Sequence, residues 1–541
     1  MRVDGANGGV AAAAIETRVN RDGSAQLDRV AAYVADAVEP PSADAPLRRL
    51  REARDAGFER LLAEQREAWS HRWEEADVAV DGDHELQQAI RFALFHLMAS
   101  VADGGEAGVG ARGLSGRAYR GHVFWDSDVF VMPFLAATHS EAARAMLEYR
   151  IRRLPAALAA ARAIGRTGAR FPWESAASGQ DVTPTHARDR TGRTVAIRTG
   201  LLEEHIVADV AWAAACYMDW TGDEVFIQGP GLRLLVETAR YWASRARFDV
   251  EGKAHIYGVI GPDEYHGPVD DSAFTNVMAR WNLRRAAQAV AAGAEEVTSV
   301  ERLQWLDLAD ALVDGFDPRT GLYEQFAGFY GLEPLVIADF APRRPVAADL
   351  LLGADRLRGA QVVKQADVVM LHHMVPDEVA PGSLLPNLQY YEPRTAHGSS
   401  LSPGVHAALF ARARLFDAAV KSLHMASRMD LDDLTGTTAG GLHLATMGSV
   451  WQALAFGFAG VRPFGEALHV DPALPPTWNG LEVKVRFRGS PVRVKVRFAS
   501  VRVESDRPIP VVIGEQREPV EIGPSGIDLR FSDGSWEVQA P

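Results

Sequence analysis

Apolar residues recur at helical spacing through most of the chain between residues 81 and 460. In Leu86–Val101, for example, they fall three or four positions apart, as on the buried face of a helix. Similar patterns predict about a dozen helices in all. The other predicted segments are Trp125–Thr138, Ser140–Ile164, Glu203–Thr221, Asp223–Phe248, Thr275–Ala292, Ser299–Leu312, Val362–His373, Pro403–Ala411, Leu415–Met429 and Met447–Phe456. With little strand signal between them, these segments predict a mainly α domain.

Long loops rich in Gly, Pro, Trp, His, Asp and Glu separate these helices at alternate junctions. The loops are Gly104–Phe124, Thr167–Thr199, Tyr257–Ala273, Pro376–Ser402 and Asp432–Leu444. Loops of this length in a compact domain usually carry function. Their position at every second junction favours helical hairpins arranged in a ring, with a site along one rim. An unspecific helical domain is the alternative.

The pattern changes at both ends of the chain. Past Arg462, apolar and charged residues alternate with period two, which predicts half-buried antiparallel strands in a small β-domain. The alternating segments are Leu481–Arg488, Val492–Phe498 and Val501–Glu504. Near the N-terminus, Ala12–Val19 and Leu27–Val34 predict strands that cannot bury a face by themselves. A charged helical pattern over 45–79 predicts one long connecting helix.

Composition and charge exclude several functions. The chain has 541 residues, 47% hydrophobic and 24% charged, as in a soluble globular protein. Its net charge of −14 argues against nucleic-acid or anionic-membrane partners, because both need a basic surface. The N-terminal segment is a poor signal peptide, and no stretch of about 18 apolar residues could span a membrane. We therefore expect a cytoplasmic protein.

Metal and disulfide chemistry are also not expected. The single cysteine, Cys216, excludes an intrachain disulfide and a multi-cysteine zinc site. The histidines lack the regular spacing with carboxylates that a strong metal-site prediction requires, and His-Glu-x-x-His does not occur. The sequence thus predicts no metal site.

The loop Ile260–Pro268 concentrates ionisable side chains. Asp263, Glu264, Tyr265 and His266 lie between two Gly-Pro pairs, which predict turns. Helical patterns flank the loop, and loops held on a rigid scaffold commonly carry catalytic groups. Glu264 is the lead candidate for a catalytic acid, and an ordinary polar loop is the alternative.

Tryptophan–carboxylate pairs indicate sugar binding. Trp125 precedes Asp126 and Asp128, and Trp173 precedes Glu174. An indole ring packs on the C–H face of a sugar, while a carboxylate accepts hydrogen bonds from neighbouring hydroxyls. Taken singly, each pair could also be a core tryptophan beside a helix-capping acid. Their recurrence favours a sugar site.

Polar groups inside an apolar run form a further candidate. Lys364, Gln365 and Asp367 interrupt a stretch of Val and other apolar residues. Unpaired, each would cost about 1–3 kcal/mol on burial. A polar ligand is therefore indicated, and a purely structural network is the alternative.

Two segments predict an oxyanion site. His397, Ser399, Ser400 and Ser402 precede one predicted helix, and His443 ends a Gly-Gly-Leu-His stretch before another. Hydroxyls, free backbone N–H groups and the positive end of a helix together suit phosphate. A serine N-cap would explain one serine only.

These motifs, in this order, resemble glycoside hydrolase family 65, the inverting α-glucoside phosphorylases typified by those acting on maltose, trehalose, kojibiose and nigerose. The matching segments are Gly121–Phe134, Gly168–Ser175, Gly261–His266, Lys364–Asp367, Thr395–Ser402 and Thr435–Gly448. The resemblance implies a mainly α fold, an (α/α)6 barrel followed by a small C-terminal antiparallel β-domain.

The resemblance also implies a division of the chain. Residues 1–40 would be the remnant of an N-terminal β-domain, 41–81 a helical linker, 82–462 the catalytic barrel and 463–541 a C-terminal β-sandwich. In the family a large N-terminal β-sandwich packs on the barrel and helps to form a dimer. Here we expect only its tail, about residues 12–37. The resemblance therefore leaves both a monomer and a homodimer as expectations.

The resemblance assigns expected roles. Glu264 would be the general acid, and Trp125, Asp126, Lys364 and Gln365 would hold the non-reducing glucose. The acid would protonate the glycosidic oxygen while phosphate attacks C1 from the opposite face, giving β-glucose 1-phosphate. Ordinary inverting hydrolases use water and a second carboxylate instead.

The phosphate would be held by Ser399, Ser400 and His443, with His397 a weaker candidate. The expected partners are thus a small disaccharide and inorganic phosphate as co-substrate, with no cofactor. Which disaccharide linkage and which acceptor are used cannot be predicted from the sequence.

Two other functions remain open at this point. A hydrolase of the same fold would need a carboxylate base across the sugar from Glu264, and Glu392 is the nearest sequence candidate. A truncated, non-catalytic glucan-binding protein is the other alternative.

Overall fold

The computed structural model describes residues 2–4, 9–19, 21–35, 42, 44–101, 105, 108–188, 192, 194–291, 297–514, 518–532 and 535–538. These residues divide into two compact units, Met1–Glu75 and Ala76–Pro541. Every residue of the candidate site lies in the second unit.

The first unit contains an antiparallel sheet and helices that pack on it. The elements are β1 (Arg2–Asp4), β2 (Gly9–Val19), β3 (Ala25–Ala35), α1 (Ala45–Ala56) and α2 (Phe58–Ala76). Leu50 of α1 packs on Ala32 of β3. The expectation of one continuous linker helix is wrong, because Gly57 has a φ of 78° that helical backbone does not allow.

The second unit is built on a barrel of paired helices. The outer helices are α3 (His84–Ala99), α5 (Ser140–Ala163), α7 (Pro230–Arg245), α9 (Ser299–Ala311), α11 (Leu384–Tyr391) and α13 (Phe416–Ser427). The inner helices are α4 (Met132–Thr138), α6 (Ile206–Thr221), α8 (Ala273–Ala291), α10 (Asp367–Met374), α12 (Ser402–Arg412) and α14 (Leu444–Gln452). Each inner helix packs against the next, and α14 returns to contact α4, which closes the ring. The predicted (α/α)6 barrel is confirmed.

Several helices begin or end at capping residues of the types expected from the sequence. Asp83 caps α3 by accepting a hydrogen bond from Leu86 N at 2.9 Å, and Thr298 caps α9 in the same way. Gly222, with a φ of 62°, ends α6 in the left-handed conformation. Nearly every residue of the inner helix α6 is buried, which explains its almost continuous apolar sequence.

Shorter elements connect these helices. π-helical turns occupy Ser127–Val131 and Ala453–Phe458. Short helical segments lie at Ala118–Gly121, Thr199–Leu202, Glu224–Ile227, Phe329–Gly331, Ile337–Phe340, Ala348–Leu352, Ala354–Arg358, Pro376–Glu378, Glu392–Arg394 and Thr438–Gly440. Small hairpins pair His186–Arg188 with Thr194–Ala196, Arg247–Phe248 with Ala254–His255, and Phe316–Asp317 with Leu322–Tyr323. No helix within the described residues is long and apolar enough to cross a membrane.

The C-terminal part forms two sheets. Their strands are β4 (Val78–Asp81), β5 (Val461–Phe464), β6 (Ala467–Val470), β7 (Gly480–Phe487), β8 (Ser490–Arg497), β9 (Ser500–Ser505), β10 (Ile509–Ile513), β11 (Val520–Ile522), β12 (Ile527–Ser532) and β13 (Ser535–Val538). The described strands run in the orders β5-β6-β10-β11 and β13-β12-β9-β8-β7-β4. The small β-domain is confirmed, although β6 and β10 pair in parallel and β4 joins the larger sheet from the segment expected to be linker.

Candidate active site

The loops that lead into the inner helices surround one cavity of about 1530 Å³. The lining comes from segments around residues 111–126, 173–184, 194–199, 260–267, 345–365, 398–401 and 434–445. Because these segments precede inner helices, the positive ends of the helix dipoles face the cavity. The predicted site residues that line it are Trp125, Asp126, Glu264, Lys364, Gln365, Ser399, Ser400 and His443.

Glu264 and Lys364 form an ion pair on the cavity wall. The Lys364 ammonium donates to Glu264 Oε1 at 2.6 Å. Burial works against the charge on Lys364, but the Glu264 carboxylate outweighs it and raises the pKa of the lysine. The residue expected to hold glucose thus contacts the candidate acid.

Asp263 holds the loop of Glu264 to the loop of Lys364. Its buried carboxylate accepts hydrogen bonds from Lys364 N at 2.7 Å and Gln325 Nε2 at 2.8 Å, and it pairs with His266 Nδ1 at 2.6 Å. Asp263 N in turn donates to Asp367 Oδ1 at 2.8 Å. Asp263 therefore points into the protein, away from the cavity, and its function is to fix the loop.

Further contacts complete this framework. Gln365 Nε2 donates to Pro262 O at 2.6 Å. A side chain at Gly261 would meet Asp367 Oδ2 at 2.3 Å, so only glycine allows the close approach of the two segments. Both ring nitrogens of His266 face acceptors, Asp263 and Ala360 O. Burial opposes a charge on His266, yet Asp263 raises its pKa, which suits an imidazolium donating from both nitrogens.

Aromatic rings and carboxyl groups form the floor of the cavity. Trp125 is buried and packs edge-to-face on Phe130 and His205. Burial raises the pKa of the neighbouring Asp126 to about 6, and the charge of Glu264 adds to this shift. These two side chains offer an apolar face and a hydrogen-bonding carboxyl group side by side.

The second tryptophan–carboxylate pair lies in the same cavity. Trp173 packs edge-to-face on Phe124, and Glu174 Oε1 pairs with His122 Nδ1 at 2.6 Å. Trp173, Glu174 and His122 all line the cavity. The two tryptophan–carboxylate pairs, which are separate in the sequence, therefore lie in one cavity.

The candidate anion site lies where two inner helices begin. Ser399 and Ser400 precede α12, and His443 precedes α14. Thr446 Oγ1, in the first turn of α14, donates to Ser400 O at 2.9 Å and ties the two starts together. Hydroxyl groups, an imidazole and two helix N-termini therefore converge on the cavity that contains Glu264.

His397 does not line this cavity. Its side chain is buried, and Nδ1 forms a 2.8 Å hydrogen bond with Ser402 Oγ. Burial holds the pKa of His397 well below its usual value, and its ring packs against that of His406 at 4.9 Å. With a φ of 51°, His397 shapes the turn that presents Ser399 and Ser400.

A buried ionisable network lies beneath Trp125. His205 Nδ1 pairs with Asp209 at 2.6 Å, while Arg150 binds Asp128 at 2.5 Å. Burial raises the pKa of Glu203 to about 8, so this carboxyl group is protonated at neutral pH. The nearest charged group is His205, whose Nε2 lies 3.6 Å from Glu203 Oε2 and opposes this rise in pKa.

Glu392, the candidate hydrolytic base, does not line the cavity either. Its carboxylate forms an ion pair with Arg344, and its backbone oxygen accepts from Arg344 Nη1 at 2.7 Å. Besides Glu264, the carboxyl groups that do line the cavity in the described part of the chain belong to Asp126, Glu174 and Asp349. Glu392 therefore serves to anchor the turn before Thr395.

Sequence reasoning missed two residues that hold the loop of the candidate anion site. Asp430 pairs with His443 Nδ1 at 2.6 Å, and Arg112 Nη1 donates to Gly441 O at 2.7 Å. Asp430 follows a helix among other acidic residues, and Arg112 lies in a glycine-rich loop, so neither stands out locally. Their partners are 13 and 329 positions away, a relationship that only the fold reveals. Within the described residues, no group of three His, Cys, Asp or Glu side chains could hold a metal ion.

Comparison with known proteins matches two family models. Glycosyl hydrolase family 65 central catalytic domain matches residues 91–452, and Glycosyl hydrolase family 65, C-terminal domain matches residues 461–518. A kojibiose phosphorylase from Halothermothrix orenii is 36% identical over 465 residues, which cover 82% of this chain and 59% of that protein. An alpha,alpha-trehalose phosphorylase from Thermoanaerobacter brockii is 34% identical over 470 residues, 84% of this chain and 59% of that protein.

A solved structure is also similar to this chain over most of its length. A putative kojibiose phosphorylase from human microbiome has a TM-score of 0.84 and 25% sequence identity, and the match covers 97% of this chain and 78% of that one. The chain spans 59% of the length of each of the two curated relatives named above.

Proposed function

Because the chain belongs to glycoside hydrolase family 65, we propose that it catalyses inverting phosphorolysis of an α-linked glucose disaccharide, releasing β-glucose 1-phosphate and a free sugar. The observation that carries this proposal is the pairing of one carboxyl group, Glu264, with a separate candidate anion site in one cavity. The similarity to kojibiose and trehalose phosphorylases supports a disaccharide with an α-linked glucose.

In the proposed mechanism Glu264 is the general acid. It protonates the glycosidic oxygen as the bond to C1 breaks, and the released sugar leaves with that proton. An oxygen of phosphate attacks C1 from the opposite face, through a transition state with oxocarbenium character, and the configuration inverts from α to β. No second carboxylate is needed, because phosphate is already a nucleophile.

Lys364 contacts the proposed acid, with its ammonium 2.6 Å from Glu264 Oε1. We infer that Lys364 and Gln365 also donate hydrogen bonds to the hydroxyl groups of the bound glucose. Trp125 and Asp126 would hold the same glucose from the floor of the cavity. Lys364 would thus contact both the sugar and the general acid.

The nucleophile would sit at the starts of α12 and α14. Ser399 and Ser400 would donate hydroxyl hydrogen bonds to phosphate, and His443 would donate from its ring. His397 supports this site from behind, through its hydrogen bond to Ser402. Helix dipoles directed at the cavity add favourable potential for an anion.

A hydrolase is the competing candidate. It would need a carboxylate base across the sugar from Glu264. Glu392 is bound to Arg344 and does not line the cavity, and Asp126, which does, is expected to hold the glucose itself. A phosphorylase and a hydrolase differ in the reaction that they catalyse in reverse. A phosphorylase supplied with β-glucose 1-phosphate and a panel of acceptor sugars forms a disaccharide and releases phosphate, whereas a hydrolase forms none.

A further inference from the structure

The loop of residues 437–443 is held from two sides by buried charged residues. On one side, the Asp430 carboxylate accepts from His443 N at 2.8 Å and from Thr438 Oγ1 at 3.0 Å, and it pairs with His443 Nδ1 at 2.6 Å. On the other side, Arg112 Nη1 donates to Gly441 O at 2.7 Å. Contacts within the chain therefore fix the loop from both sides.

The contact with Asp430 determines how the His443 ring is presented. A carboxylate can only accept, so Nδ1 carries a proton and Nε2 is the nitrogen left toward Thr437 Oγ1, 3.1 Å away. Both Thr437 and His443 line the cavity. Burial opposes ionisation of Asp430, but its hydrogen bonds and charge interaction with His443 outweigh burial and lower its pKa. Asp430 thus fixes the orientation of the His443 ring and leaves Nε2 on the side of Thr437.

Arg112 brings a positive charge to the same place. Its side chain is 9% exposed and lines the cavity. The bond to Gly441 O uses one of the five N–H donors of a guanidinium. A side chain at Gly441, which has a φ of 123°, would meet Arg112 Cβ at 2.9 Å, so glycine is required for this approach.

We propose that Arg112 is a cationic ligand of phosphate, beside His443, and that Asp430 is the positioning residue that presents His443 to it. This proposal rests on the phosphorolysis proposed above. Inorganic phosphate carries between one and two negative charges near neutral pH, and the guanidinium of Arg112 supplies a fixed positive charge beside the His443 ring. Arginine adds a planar pair of donors, which suits the oxygens of phosphate.

Titration calorimetry with inorganic phosphate tests the proposal on the full chain, without requiring turnover. We expect Arg112→Gln to raise the Kd for phosphate about 10- to 100-fold, and Arg112→Lys to recover part of the loss because it keeps the charge. We expect Asp430→Asn to raise it about 5- to 30-fold and Asp430→Glu to recover part. Thermal unfolding of each variant checks that the fold is kept.

Two matched controls lie close by. Arg117 also lines the cavity but is exposed, and Asp432 is exposed and paired with Arg428. Arg117→Gln and Asp432→Asn should leave the Kd for phosphate within about twofold of the unmodified chain. In turnover assays, Asp430→Asn should raise KM for phosphate while KM for the disaccharide stays unchanged.

The outcomes separate this proposal from the proposed function. If folded Arg112→Gln and Asp430→Asn bind phosphate as the unmodified chain does, the assignment of both residues is wrong, whatever the activity. Absence of phosphate binding by the unmodified chain would also overturn it. If the unmodified chain binds phosphate through these residues but shows no phosphate-dependent turnover, the anion site stands and the phosphorolysis proposal fails.

Discussion

Asp263 Oδ1 accepts a hydrogen bond from Lys364 N at 2.7 Å, although the two residues lie 101 positions apart. Through this bond the loop that carries Glu264 is fixed to the loop that carries its ion-pair partner. The next residue of each loop projects a group into the cavity, Glu264 from one and Gln365 from the other. The position of the proposed acid therefore depends on a residue that never faces the substrate.

Glu264→Gln should lower kcat for disaccharide phosphorolysis by about 10²- to 10⁴-fold, because the glycosidic oxygen would leave without a proton. Phosphorolysis of α-glucosyl fluoride is the control, since fluoride departs without protonation by an acid. We expect the variant to lose much less activity with this substrate. Equal losses with both substrates would mean that Glu264 has another function.

Asp263→Asn should reduce kcat and destabilise the fold. The amide cannot accept from Lys364, Gln325 and His266 together, and an unsatisfied buried group costs about 1–3 kcal/mol. We expect a lower Tm, and a kcat that falls more than KM for the disaccharide rises. Asp270, an exposed residue of the same loop that accepts from Gly258 N, is the matched control. If Asp270→Asn and Asp263→Asn have the same kinetic effect, the positioning function of Asp263 is wrong.

Glu203→Gln should change how stability depends on pH. Burial raises the pKa of Glu203 from 4.5 to about 8, so over that range the folded chain holds a proton that the unfolded chain has released. The contribution of this group to the free energy of unfolding therefore falls as pH rises through the range. Glutamine has no titratable proton, so this pH-dependent contribution is absent from the variant. The Tm of the variant minus that of the unmodified chain should increase from about pH 5 to about pH 8.5; a difference that stays constant would contradict the assignment.

Ser399→Ala and Ser400→Ala should weaken phosphate binding selectively. Loss of one hydroxyl hydrogen bond corresponds to about 0.5–1.5 kcal/mol, or roughly 2- to 12-fold in KM for phosphate. KM for the disaccharide should not change, because the sugar would bind on the side of Trp125 and Asp126. Initial rates measured while each substrate is varied separately give both constants. A rise in KM for the disaccharide alone would place these serines in the sugar site instead.

Much of the barrel could be predicted from local patterns. Helices such as α5 and α6 follow from their apolar spacing, and alternate long loops indicated the rim that carries the cavity. Helix α11 was missed because Pro386 reads as a break, although a proline in the first turn of a helix leaves its hydrogen bonds intact. Strand β4 was missed because four residues acquire strand geometry only by pairing with β7, some 400 positions later.

The candidate site also contains residues that could be predicted from the sequence and residues that could not. Glu264, Trp125 and Asp126 were indicated by the residues next to them in sequence. Arg112 and Asp430 were not, because each acts on a loop that approaches it only in the folded chain. The hydrolytic alternative based on Glu392 depended on adjacency alone, and the ion pair with Arg344 was not visible in the sequence.

The most direct test follows the anomeric products by ¹H and ³¹P NMR when the purified chain is incubated with α-linked glucose disaccharides, with and without inorganic phosphate. The proposed function predicts β-glucose 1-phosphate as the first product, a rate that saturates with phosphate, and no glucose release when phosphate is absent. Glucose released at an undiminished rate without phosphate, or the α-anomer of glucose 1-phosphate as first product, would contradict it.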